Sequence, residues 1–215
     1  DESADLFVSA AGRGEVVLTD KTNIPLTIKG EFNRENAGSA EAVLRRLGVA
    51  DSVIERAFKS FSGVPGRMEF VQEEPFSVVV DYAHTPNSLE AVYKTLKPQN
   101  GNLICVLSAA GGGRDRWKRP EMGRIADQYC SKIFLTNEDP FDEDPEKIAH
   151  EIANGIGVGR YMIVMDRKEA IEKAINVATK GDTVVITGKG SEAYIRAEMG
   201  KRIPWSDVGV AREIL

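Results

Sequence analysis

The sequence predicts an α/β protein built on a doubly wound, mostly parallel, Rossmann-like sheet, and three observations carry that expectation. From residue 68 onward, short runs rich in Val, Ile and Phe alternate with amphipathic runs of about 10–14 residues, a βαβ rhythm that pairs strands in parallel and puts helices on both faces. Turn-forming Gly, Asp, Asn and Pro punctuate the ends of the β-type runs. Composition agrees: 42% apolar residues, 20 glycines and charges of both signs in a 215-residue chain suit a packed core, not a fibrous or disordered polymer.

Before that rhythm begins, DLFV (5–8), EVVLT (15–19) and IPLTIK (24–29) have the character of short strands, with GRG and DKTN between them. NAGSAEAVLRRL (36–47) and SVIERAFKSF (52–61) repeat apolar residues at intervals of three and four and are expected as helices. GVPGR (63–67) has the composition of a hinge and divides the chain into 1–62 and 63–215. In the second part, strands are expected at 68–72, 76–82, 102–108, 132–136, 161–165 and 182–187, and helices at 88–96, 120–130, 145–156, 167–180 and 191–200.

A net charge of −5 gives no surplus of clustered Lys and Arg for a nucleic acid or an anionic membrane. Cys105 and Cys130 make neither a disulfide framework nor a metal-ligand spacing and are expected as reduced thiols. No apolar stretch approaches the roughly 18 residues of a membrane span, so a cytoplasmic protein is expected. The chain enters a strand at once through DESADLFVSA, without an initiator Met, as expected of a fragment.

In a doubly wound sheet, ligands bind beyond the carboxyl ends of the strands, and four segments fall there. DYAHTP (81–86) offers Asp81, a candidate site residue with turn or helix capping as the alternative, and His84, a loop histidine suited to contact a ligand; the second histidine, His150, is expected on a helix surface. In AAGGGRDRWKRP (109–120), three glycines let backbone N–H groups approach an anion, Pro120 is placed to open a helix, and Arg114, Arg116, Lys118 and Arg119 add positive charge. Neither GxGxxG nor GxxxxGK[ST] is satisfied. TNEDPFDEDP (136–145) sets five carboxylates around Phe141, with Glu143 and Asp144 placed to cap a helix near Pro145. TGKGSEAY (187–194) brackets Lys189 with glycines and puts Glu192 at an expected helix N-terminus, where the dipole favours a carboxylate. One basic loop and two loops with carboxylates suit a small zwitterion, such as an amino acid, better than a nucleotide alone.

FNRENAGSA (32–40), GVPGRMEFV (63–71), VVVDYAHTPNSLE (78–90), GGGRDRWKRPEMG (111–123), TNEDPFDEDP, DRKEAI (166–171) and GKGSE (188–192), in that order, resemble the Mur ligase family over essentially the whole chain. The likeness is greatest to its UDP-N-acetylmuramoyl-tripeptide synthetase (MurE) type. It implies a three-domain parent in which residues 1–62 end the central ATPase domain and residues 63–215 form the C-terminal domain that receives an amino acid. The P-loop and the carbamylated lysine that positions Mg2+ would then lie upstream of Asp1, and the segment alone would not catalyse.

Relatives of this kind phosphorylate the D-glutamyl carboxylate of a UDP-muramoyl dipeptide from ATP, and a diamino acid attacks the acyl phosphate, a step of peptidoglycan synthesis. By resemblance, Asn33, Asn36, Arg67 and Asp81 would contact ATP, with His84 at the same junction. Arg114, Glu138, Asp139, Pro140, Phe141, Gly188 and Glu192 would form the amino-acid pocket.

The sequence departs from the family pattern at three points. Where diaminopimelate-adding relatives typically read Asp-Asn-Pro-Arg, this chain reads Glu138-Asp139-Pro140-Phe141; Ser191 stands for the usual His of GKGHE, and Gly113 for an Asp. Phe141 cannot hydrogen-bond a second carboxylate, and a buried polar group left unpaired costs about 1–3 kcal/mol. A diamine without that carboxylate, L-lysine or ornithine, is therefore expected over meso-diaminopimelate, its ammonium held by Glu138, Asp139 or Asp142 and its carboxylate by Arg114. Two other readings compete: a dinucleotide-binding oxidoreductase, and a non-catalytic module that binds an amino acid or muropeptide.

Overall fold

A chain that alternates buried β-branched runs with amphipathic helices has to stack them in layers, and the computed structural model shows how. It describes residues 4–10, 13–19, 21–113 and 115–215, with side chains from residue 21 onward. The chain separates into two compact units, Asp1–Gly63 and Val64–Leu215.

In the first unit, β1 (Ala4–Ala10) and β2 (Arg13–Thr19) form an antiparallel hairpin in which Ala4 faces Thr19. Helices α1 (Glu31–Arg46) and α2 (Asp51–Ser60) follow. The strand expected at 24–29 is absent: the segment is irregular, Pro25 has no N–H for a ladder, and the Ile24 N–H bonds to Thr22 Oγ1 at 3.1 Å. The buried Thr22 anchors this loop, since its carbonyl accepts from Arg34 Nη2 at 2.8 Å. Helix α1 begins at Glu31, five residues before the expected start, so Asn33 and Asn36 are both helical.

The second unit is a six-stranded sheet of order β3-β4-β8-β5-β6-β7, made of β3 (Glu69–Gln72), β4 (Ser77–Asp81), β5 (Leu103–Leu107), β6 (Lys132–Leu135), β7 (Tyr161–Ile163) and β8 (Thr183–Thr187). All pairings are parallel except that of the edge strand β3 with β4. Side chains alternate across the sheet. Val78, Val80, Ile104, Val106, Val184 and Ile186 pack against α6 (Arg167–Asn176) and α7 (Asp207–Ile214), which contribute Ala170, Ile171, Ala174 and Ala211. The opposite face is covered by α3 (Pro86–Leu96), α4 (Lys118–Tyr129) and α5 (Pro145–Ala153), which bury Leu89, Tyr93, Met122 and Ile152.

Helix starts follow local chemistry. Thr85 and Ser88 form a reciprocal capping box ahead of Pro86, which is the first residue of α3. Asp144 caps α5 by accepting from Glu146 N, again with a proline, Pro145, at the first position. Pro120 does not open α4, which starts at Lys118; proline is tolerated there because first-turn N–H groups have no helical acceptor.

The helix expected at 191–200 is not formed. Tyr194–Arg196 is a strand, β9, paired antiparallel with β10 (Arg202–Pro204) across a 3-10 turn at Glu198–Gly200. Tyr and Ile favour a pleated surface, Ile195 is buried, and Gly200 makes the turn at φ +71°. Helix α7 lies beyond the segments assigned from the sequence; its signal was Ser206, whose Oγ caps Gly209 N at 3.0 Å.

Candidate functional site

The carboxyl ends of β4, β8, β5 and β6 lie side by side, and the side chains they gather carry more acid than base. Behind the ends sits Arg167, the first residue of α6 and fully buried. Its guanidinium holds Asp207 of α7 through Nε (2.8 Å) and Nη2 (2.7 Å), and donates to Ser108 Oγ, the Asn137 carbonyl and the Thr187 carbonyl. One side chain thus ties together the ends of β5, β6 and β8. Burial alone would lower its pKa, but Asp207 more than offsets this and the group stays charged.

Lys189 is the second buried cation. Its Nζ donates to Asp139 Oδ1 at 2.8 Å and to Glu192 Oε2. Asp139 Oδ1 also accepts from the backbone N–H of Arg196 at 2.8 Å, which joins the β6 loop to β9. Glu192 Oε1 accepts from Tyr82 Oη at 3.3 Å, and burial followed by this carboxylate pushes the Tyr82 pKa up. The expected helix dipole at Glu192 is therefore replaced by a direct ion pair.

Glu138 is buried, and its Oε2 accepts from Ser108 Oγ at 2.9 Å. Burial raises its pKa above the usual glutamate range, with Arg167, the Ser108 bond and Lys189 pulling the other way. Gly188 stands against it at φ +106°, and a Cβ there would overlap Glu138 Oε2. Pro140 is buried, whereas Phe141 is half-buried and held at φ +53°, a left-handed conformation costly for a bulky residue. Its ring faces Gly112 and lies 5.9 Å from the Arg196 guanidinium.

The basic glycine loop is not a vacant anion cradle. Arg119 is buried and bonds Glu143 and Glu151, Arg116 also pairs with Glu151, and Gly113 N donates to Glu143 Oε1 at 2.5 Å. The acidic loop thus supplies the anion itself, and Glu143 serves this purpose instead of capping α5. Arg114 lies outside the described residues. Lys118 opens onto a groove of about 880 Å³ beside Thr85, Trp117 and Arg124.

In DYAHTP, Asp81 is buried and accepts from Met68 N (2.8 Å) and Ala83 N (2.7 Å); burial raises its pKa despite both bonds. It orders the chain around the β4 end. Arg67 is exposed with its guanidinium 4.1 Å above the Tyr82 ring, and His84 Nδ1 lies 3.0 Å from the Tyr82 carbonyl. In the first unit, Asn33 donates to the Lys29 carbonyl at 2.7 Å and Asn36 is exposed. Cys105 and Cys130 are free and buried, and His150 is exposed. Among the described residues, no His, Cys, Asp and Glu group has metal-binding geometry, and no helix is long and apolar enough to cross a membrane.

Sequence reasoning singled out Glu138, Asp139, Gly188 and Glu192, which converge here, but gave no role to Ser108, Arg167, Asp207, Tyr82 or Arg196. The fold is that of an α/β, Rossmann-like domain with a mostly parallel sheet. The family described as "Mur ligase, glutamate ligase domain" matches residues 66–190, and the chain belongs to the Mur ligase family, whose members are ATP-dependent carbon–nitrogen ligases.

Among its relatives, the UDP-N-acetylmuramoyl-L-alanyl-D-glutamate--2,6-diaminopimelate ligase of Aquifex aeolicus (strain VF5) is 45% identical over 188 residues, 86% of this chain and 38% of the relative. The ligase of the same name from Synechocystis sp. (strain PCC 6803) is 44% identical over 218 residues, 98% of this chain and 43% of the relative. A solved structure of a ligase of that name superposes with a TM-score of 0.66 at 33% identity, covering 95% of this chain and 41% of that one. The chain thus spans about two fifths of the length of the curated relatives it matches.

Proposed function

We propose that this chain is the amino-acid-binding part of a Mur-type amide ligase that joins a diamino acid to the D-glutamyl carboxylate of UDP-N-acetylmuramoyl-L-alanyl-D-glutamate. One observation carries the reading: Glu138, Asp139, Glu192 and Asp207 stand at the strand ends against the buried cations Arg167 and Lys189 and the more distant Arg196, 3.8 Å from Asp139. Acid remains in excess over base, and a substrate ammonium is its natural complement. The second amine of the substrate is left free to attack the acyl phosphate, so this domain contributes placement.

ATP with Mg2+ would supply the phosphoryl group. Arg67 and His84 suit the nucleotide, because the stacked Arg67 guanidinium is exposed and His84 uses only Nδ1 within the fold. Asp81 would act indirectly, since both its oxygens already hold backbone N–H groups. Residues 1–62 would be the end of the central ATPase domain, with Asn33 and Asn36 contributing to ATP binding. Arg114, Pro140, Phe141 and Gly188 would complete the amino-acid pocket, and use of a UDP-linked precursor would make the protein a cytoplasmic one.

The identity of the diamino acid is a finer matter. Phe141, which has no donor, favours L-lysine or ornithine; the names of the relatives favour 2,6-diaminopimelate. An oxidoreductase reading is disfavoured because Glu143 occupies the glycine-loop N–H that a dinucleotide phosphate would need. A non-catalytic binding module would use the same acid cluster but form no product. The test is ligation by the full-length protein with ATP, Mg2+ and the UDP-muramoyl dipeptide, offering lysine, ornithine and meso-diaminopimelate in turn. An amide product with any of them supports the reading; no product with any of them overturns it.

A further inference from the structure

The β9–β10 hairpin puts like charges opposite one another. Arg196 and Arg202 are register partners, so their side chains share one face, an arrangement that destabilises a strand pair. Tyr194, on the same face, lies under both guanidinium groups, at 5.5 Å from Arg196 and 4.8 Å from Arg202. Arg202 has no carboxylate within ion-pair distance among the described residues. Arg196 has one distant contact, Nε to Asp139 Oδ2 at 3.8 Å, and that carboxylate already serves Lys189 and the Arg196 backbone. Arg196 Nε is buried without a hydrogen-bond partner. A planar, half-exposed guanidinium, stacked beside the Phe141 ring and short of an anion, is a carboxylate site waiting for its ligand.

Its place decides which ligand. Asp139 stands between Arg196 on one side and the Lys189–Glu192 pair on the other, so a group bound there meets a cation and an acid cluster together. The matching ligand end carries a carboxylate and an ammonium on one carbon. When lysine or ornithine attacks through its α-amine, the end left for this site carries an ammonium alone. Building on the ligase reading above, we propose that Arg196 is the specificity-determining residue that binds the side-chain carboxylate of the incoming amino acid, making the substrate a diamino-dicarboxylic acid such as meso-diaminopimelate despite Phe141.

The test is steady-state ligation by the full-length protein with saturating ATP and UDP-muramoyl dipeptide, comparing meso-diaminopimelate with L-lysine. Wild type should prefer the dicarboxylic acid. Arg196→Ala should lower the ratio of their kcat/KM values roughly 10- to 100-fold, mostly through KM for meso-diaminopimelate, as expected for losing a charged hydrogen bond. Arg196→Lys, which keeps the charge but not the fork, should fall between the two and stands in if the alanine variant does not fold. A wild type that uses lysine and rejects meso-diaminopimelate overturns the proposal and leaves the ligase reading standing. So does an unchanged ratio in both variants; a wild type that ligates neither amino acid removes both.

Discussion

Arg167 and Lys189 are both cations buried behind the strand ends, yet they are used in opposite ways. Arg167 spends its donors inside the fold, on Asp207, Ser108 and two carbonyls. Lys189 has two carboxylates, and one of them, Glu192, is 27% exposed at the mouth of the cluster. The first arrangement is closed and can only hold the strands in place. The second has a partner that reaches the surface, so in the proposed site binding can redistribute its charge without unfolding anything. Burial alone therefore does not separate scaffold from site; the exposure of the partner does.

The sharpest way to break the contrast is Asp207→Ala, which strands the Arg167 charge in the interior. A loss of about 3–5 kcal/mol is expected for removing one partner of a buried pair, measured by urea unfolding of the full-length protein. A loss below about 1 kcal/mol would show that Arg167 is not a closed clamp. Gly188→Ala comes next: its side chain would overlap Glu138 at a φ that costs an L-residue about 1–3 kcal/mol. Diamino-acid KM should rise with it, read by ligation kinetics.

Glu192→Gln should cost about 1–2 kcal/mol at most, since Asp139 still balances Lys189. It should nonetheless raise KM for the diamino acid at least about 10-fold, so a variant that loses stability but keeps KM would place Glu192 with the scaffold. The smallest effect is expected at Glu138→Gln. Burial raises the Glu138 pKa in the folded state, so the unfolded chain ionises first as pH rises. Wild-type stability therefore drops from the usual glutamate range up to the raised value and is level beyond it. The glutamine variant lacks this drop, so its Tm relative to wild type should be higher at pH 7 than at pH 4.

Much of this is legible in the sequence. Parallel strands betray themselves by continuous apolar runs, so β4, β5, β6 and β8 and the loops beyond them were readable, and with them Glu138, Asp139 and Glu192. Residues 191–200 have the spacing of a helix in SEAYIRAEMG, whereas β9 exists only through its pairing with β10, a tertiary fact. Arg167 was invisible for a related reason. At the first turn of an amphipathic helix an arginine looks like a surface residue, and only the distant Asp207 makes it an interior one. The cations of the glycine loop looked available because Glu143 and Glu151 are far from them in sequence.

The contact between Gly111 and the acidic loop has a consequence for how this site changes over evolutionary time. Gly111 N donates to the Asp139 carbonyl at 2.7 Å, and a Cβ on Gly111 would overlap the Pro140 carbonyl. The loop's backbone is seated on its neighbour, while the side chains of Glu138 and Phe141 project from that seat. Substitutions at those two positions can change the chemistry offered to a ligand while leaving the main chain where it is. On the proposed ligase reading, a lineage can thus try new amino acids as building blocks one residue at a time, on a platform that needs no redesign.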